Sequence, residues 1–123
     1  MTESELFDST IWIDYLIKGS FKEKIEKEEI FLLSSLSLFE IKRKLLRNKE
    51  LNKRELNEKI SFIKNKSTII NIDSEIAEKA SEIAEEKSLG AADALIYTTA
   101  ILNDAKLLTL DNDFRGLDKV EVL

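Results

Sequence analysis

Short apolar runs of strand length alternate with segments of helical period along this chain, and that alternation leaves few folds open. A short strand is expected at about Glu5 to Asp8, followed by a helix from Thr10 to Ile17 that closes near Gly19. A second, charged helix is expected through Lys27. Ile30 to Ser34, IFLLS, is a continuous apolar run, and the segment SLFEIKRKLLRN then sets Leu38, Ile41, Leu45 and Leu46 at helical spacing. Leu51 to Asn65 reads as another amphipathic helix. The β-branched STIINI from Ser67 to Ile72 suits a buried parallel strand, and Asp73 caps a helix to about Lys87. Past Gly90, AADALIYTTAIL is apolar almost all round, as a helix buried inside a domain would be. KLLTL is a strand leading into DNDFRGL, and VEVL is a last short strand. Strands alternating with helices predict an α/β fold, a mostly parallel sheet with helices on both faces.

Nothing divides this pattern. No Gly/Ser-rich or Pro-rich linker, fixed-period repeat or low-complexity run interrupts it, so residues 1–123 are read as a single domain. A chain of 123 residues is long enough to bury roughly 65% of its unfolded surface without a disulfide or structural metal. Met1 precedes an acidic segment rather than a basic and apolar leader, and no apolar run approaches the ~20 residues that span a bilayer. The expectation is a cytoplasmic protein with no membrane partner.

Four carboxylates mark the ends of apolar runs or the starts of helices: Asp8, Glu40, Asp93 and Asp111. Ligands of an open parallel sheet bind outside the carboxyl ends of its strands, where strand order reverses. Asp8 and Asp111 directly follow strands, Glu40 lies about a helical turn beyond one, and Asp93 must arrive from its own helix. The chain has no His and no Cys, so a metal held there would have oxygen ligands, which points to Mg2+ or Mn2+ rather than zinc. A net charge of −5 argues against a nonspecific nucleic-acid coat, yet four clustered acids account for much of it, and bound metal would reverse the local sign.

Each acid also has an ordinary structural role open to it. Asp8 is a natural strand-end or capping residue, and Ser37 with Glu40 has the spacing of a capping box. Asp93 would sit in the first turn of its helix, where an acid meets the positive end of the dipole, although apolar surroundings make a lone buried carboxylate costly. Asp111 and Asp113 straddle Asn112 in turn-forming sequence. For a phosphate, the basic candidates are Lys42, Arg43, Lys44 and Arg47 after Glu40, together with Arg115, which is the better placed. The first four also fit the polar face that any amphipathic helix must show.

The segments FDSTIWIDYL, SLSLFEIKRKL, GAADALIYTTA and LLTLDNDFRGL, in this order, resemble the four motifs of the PIN domain, and within it those of the small VapC-type toxin ribonucleases. The resemblance covers nearly the whole chain. It implies a three-layer α/β/α sandwich and cleavage of RNA phosphodiesters dependent on Mg2+, with Mn2+ able to substitute. It also implies that Asp8, Glu40, Asp93 and Asp111 are the catalytic metal-site acids, with Thr10 and Thr109 as hydroxyl supports and Asp113 as an auxiliary acid. A homodimer and a cognate antitoxin follow from the same likeness, which makes the side of the first helix with Trp12, Tyr15 and Leu16 a candidate surface for one of them, while simple burial in the core is the other role open to these side chains. Other readings stay open: a free-standing PIN nuclease of RNA processing, cleavage of DNA, or a non-catalytic binding module of the same fold.

Overall fold

The computed structural model describes residues 3–27 and 29–123. Strands β1 (Ser4–Phe7), β2 (Phe31–Ser34), β3 (Ser67–Ile70), β4 (Ala105–Thr109) and β5 (Val120–Val122) form one sheet in the order β3-β2-β1-β4-β5. All four pairings are parallel. The helices are α1 (Ser9–Lys18), α2 (Lys22–Ile25), α3 (Ser35–Leu46), α4 (Lys53–Lys66), α5 (Ser74–Lys87) and α6 (Ala91–Leu102), with one 3-10 turn at Asn112–Phe114. Every strand-to-strand connection within β1 to β4 contains at least one helix, as parallel pairing requires.

The three layers follow from the two-residue repeat of the strands. Phe7, Phe31, Leu33 and Leu108 face one way and bury with Ile11, Trp12, Ile25, Ile41, Leu45, Leu56 and Ile63 from α1 to α4. Leu6, Ala105 and Leu107 face the other way and bury with Ile83, Ile96, Tyr97 and Ala100 from α5 and α6. Each fully buried large side chain contributes about 1.5–3 kcal/mol. Trp12 is wholly buried and sits in an aromatic group with Phe7, Tyr15 and Phe62, so of the two roles open to it the structure shows core packing rather than an exposed contact surface. Tyr15 and Leu16 are half-buried.

Helix ends are fixed locally. Asp8 caps α1, and Gly19 closes it at φ 74°, its amide donating to the Tyr15 carbonyl at 2.9 Å. Asn52 and Glu55 form a reciprocal capping box on α4, and the Asp73 carboxylate accepts from the Ile76 amide at 2.9 Å on α5. Two expectations need correction. The charged helix before Lys27 is a single turn, because only Ile25 in it reaches the core. Ser37 and Glu40 form no capping box: β2 runs into α3 without a loop, Ser34 is the cap, and Ser37 lies inside the helix. Among the described residues, no helix is long and apolar enough to cross a membrane.

Candidate metal centre

β1 leads towards β2 and β3 on one side, while β4 and β5 add on the other, so strand order reverses between β1 and β4. Phe7 pairs with Leu108, and the Asp8 amide donates to the Leu108 carbonyl at 2.9 Å. One residue further, Asp8 and Thr109 therefore stand side by side at the carboxyl edge of the sheet. Alternation turns both towards the face that α6 covers, since Phe7 and Leu108 point to the opposite one.

Asp8 is buried, and both of its carboxylate oxygens accept hydrogen bonds. Its Oδ1 accepts from the Ser9 amide at 2.8 Å, and its Oδ2 accepts from the Thr109 hydroxyl at 2.7 Å and the Thr10 hydroxyl at 3.0 Å. Thr10 Oγ1 in turn accepts from the Leu110 amide at 3.0 Å, and Thr109 Oγ1 from the Asp111 amide at 2.9 Å. Two hydroxyls thus tie the end of β1 to the loop after β4 and hold one carboxylate in a fixed orientation. Burial raises the Asp8 pKa; the hydroxyls of Thr109 and Thr10 and the Ser9 amide oppose this, and the nearby Asp111 charge adds to it.

Asp93 occupies the first turn of α6, whose N-cap residue, Gly90, provides no side-chain cap. One carboxylate oxygen from each of Asp93, Asp111 and Asp113 lies within 4.8 Å of the others. The Asp111 Oδ1 accepts from the Asp113 amide at 2.9 Å, so the turn expected of Asp-Asn-Asp is formed and aims both acids at the same space as Asp93. Burial first, then the charges of Asp111, Asp113, Asp8 and Glu40, push Asp93 up to about 6. Glu40 is also raised, by burial first and by Asp8, with Ser9 opposing.

The donor set suits a hard divalent cation. Five carboxylates influence one another here, and none of the ion pairs among the described residues supplies a Lys or Arg to them. Glu40 Oε1 is buried with no hydrogen-bond partner, an acceptor left without a donor. Like charges crowded together and partly withdrawn from water disfavour the ionised forms, and a bound Mg2+ or Mn2+ would relieve the repulsion and satisfy the free oxygen.

The structure thus brings Asp8, Glu40, Asp93 and Asp111 to one end of the sheet, with Thr10 and Thr109 against Asp8. Asp113, expected only as an auxiliary acid, stands in the tightest group; its signal was the spacing of two acids around Asn112. Ser9, whose backbone amide holds Asp8, was not singled out by sequence, because any residue with an N–H at that position could make this bond. Arg115 is exposed two residues beyond Asp113, and its guanidinium donates to Asn112 Oδ1 at 2.7 Å.

The PIN domain family profile matches residues 6–120. No curated protein sequence matches the chain. Among solved structures, a toxin–antitoxin complex from Klebsiella pneumoniae contains a similar chain, 26% identical with a TM-score of 0.82 over 96% of each chain. VapBC2 from Rickettsia felis, bound to a DNA fragment from their promoter, contains another at 22% identity and TM-score 0.77, over 95% of this chain and 96% of that one. VapC20 of Mycobacterium tuberculosis, described as a sarcin-ricin loop cleaving toxin, has the same fold at 16% identity and TM-score 0.68, over 95% of this chain and 98% of its own.

Proposed function

Since the chain belongs to the PIN domain family, we propose that it is an endoribonuclease dependent on Mg2+ or Mn2+ and the toxin of a VapBC-type toxin–antitoxin pair. The observation that carries this is the group of carboxylates, Asp8, Glu40, Asp93, Asp111 and Asp113, gathered at the switch point, to which no ion pair among the described residues brings a Lys or Arg. A structural role alone would not assemble it, because crowded like charges, partly withdrawn from water, cost stability. The likeness to a toxin–antitoxin complex supports the toxin role over a free-standing processing nuclease.

Asp93, Asp111 and Asp113 would hold the cation, with Glu40 offering its unpartnered oxygen and Asp8 its partly engaged carboxylate. When bound, such an ion lowers the pKa of a water and neutralises charge on the phosphate. Thr10 and Thr109 keep Asp8 from turning away, and the Asp111–Asp113 turn fixes two acids relative to the sheet edge. Asp111 or Asp113 would orient the attacking water for in-line displacement, which needs no covalent intermediate on the protein. Arg115, whose reach is tethered by Asn112, would meet the phosphate charge.

In this reading the chain works as a homodimer in the cytoplasm, and a cognate antitoxin silences it by covering the acidic cleft. The test is cleavage of total cellular RNA by the purified chain with manganese, beside chelator, a folded Asp93→Asn variant and single-stranded DNA. Discrete RNA fragments lost with chelator and in the variant are expected. Fragments that persist in Asp93→Asn would refute the site, and preferential cleavage of DNA would refute the substrate.

A further inference from the structure

The acidic cleft provides chemistry for a phosphodiester but repels the strand that carries it, and the chain's net charge of −5 adds to that repulsion. Something cationic must therefore guide a polyanion to the site. Helix α3 carries Glu40 to the cleft, and the residues at 3, 4 and 7 positions beyond a helical residue share its side. Those positions here are Arg43, Lys44 and Arg47, all exposed. They extend roughly 10 Å along the helix axis from Glu40.

The density of cations sets this side apart from an ordinary solvated helix face. From Ile41 to Lys49 the sequence carries five cations and no acid, whereas the acid-free second half of α4, Lys59 to Lys66, carries three and α5 mixes both signs. None of the ion pairs among the described residues involves Arg43, Lys44 or Arg47, a state they share with Lys64 on α4 and Lys79 on α5, so what distinguishes them is their density and their line with Glu40. Uncompensated cations in line with a metal-site acid are suited to successive phosphates of one strand, and Arg in particular grips phosphate through two N–H groups.

We infer that Arg43, Lys44 and Arg47 form a phosphate track along α3 that holds single-stranded RNA where it enters or leaves the acidic cleft. This rests on the ribonuclease reading above and adds to it a path for the strand. Phe39 and Leu46, exposed at 58% and 63%, lie further round α3; a protein partner docking there is the competing use of the helix.

The test compares cleavage of a single-stranded RNA by the wild type, the R43Q/K44Q/R47Q variant and a charge-matched K22Q/K64Q/K79Q control, over a series of KCl concentrations. Gln preserves helix propensity, and an unchanged manganese-induced rise in melting temperature verifies the fold and the metal site. Each phosphate contact on a single strand contributes about 0.7 to the log–log salt slope, so the track variant should flatten that of kcat/KM by about 2. KM should rise at least tenfold at low salt with kcat nearly constant, and the control should keep the wild-type slope. A track variant with the wild-type slope would overturn the track alone, as would an effect confined to self-association or partner binding. RNA left intact by the wild type would overturn the ribonuclease reading and the track with it.

Discussion

Replacing Asp93 with Asn should stabilise the metal-free protein, and the magnitude follows from its surroundings. Asp93 is pushed from an ordinary 3.8 up to about 6 by burial and by four neighbouring carboxylates. Held charged at pH 7.5, a group so displaced would cost roughly 3 kcal/mol. Asp93 is only partly buried, and screening by solvent reduces the cost to about 1–2 kcal/mol. Its place in the first turn of α6 returns roughly 0.3–1 kcal/mol through the helix dipole, leaving a net penalty of about 1 kcal/mol. The sign is fixed by which state holds the proton: between pH 3.8 and about 6 the folded protein binds it more tightly. The stability Asp93 contributes is therefore complete below 3.8 and lost as pH rises through 6. In chelator, thermal melts at pH 7.5 should place Asp93→Asn above the wild type by roughly 4 °C, on an unfolding entropy of about 2.1 cal/mol/K per residue. That advantage should vanish at pH 4. Saturating manganese should reverse the order, since ligand at a hundred times its Kd adds about 2.7 kcal/mol to the protein that binds it. A wild type that is the more stable of the two in chelator at pH 7.5 would refute the crowded-acid account.

Thr109→Val removes a donor to Asp8 and an acceptor for the Asp111 amide; a loss of about 2–3 kcal/mol in urea unfolding is expected, with most of it regained in Thr109→Ser. Trp12→Ala opens a cavity in the aromatic group and should cost about 3–5 kcal/mol. Trp12→Phe should cost much less, because the Trp12 Nε1 has no hydrogen-bond partner to lose. Asn52→Ala breaks the capping box of α4 and should lower stability by about 1 kcal/mol, readable as a shift of the urea midpoint at constant slope.

Much of the architecture is legible in the sequence because its layers obey simple periods. The run at Phe31–Ser34, the β-branched strand from Ser67 and the apolar helix from Ala91 each follow from composition and spacing, and parallel pairing follows from their alternation with helices. What escaped was local choice among equal candidates. Ser34, Ser35 and Ser37 can all cap a helix, and only the absence of a loop after β2 decides for Ser34. The stretch before Lys27 has helical composition but a single core residue, Ile25, so tertiary packing sustains just one turn. In the site, Asp93 stands out as the one charge in an apolar helix. The bond between Asp8 and Thr109 spans 101 residues and exists only because β1 pairs with β4, so local pattern could not reveal it. The turn of Asp111 and Asp113 is legible from the two acids around Asn112, but its approach to Asp93 shows only in three dimensions.

The central claim, that these carboxylates hold a divalent cation, is tested most directly by an anomalous difference map from a crystal grown at neutral pH and soaked with Mn2+. A peak bounded by Asp93, Asp111 and Asp113, at distances normal for oxygen ligands, is the expected result. A well-ordered acidic cleft without a peak at saturating Mn2+, or a peak only elsewhere on the molecule, would contradict the claim.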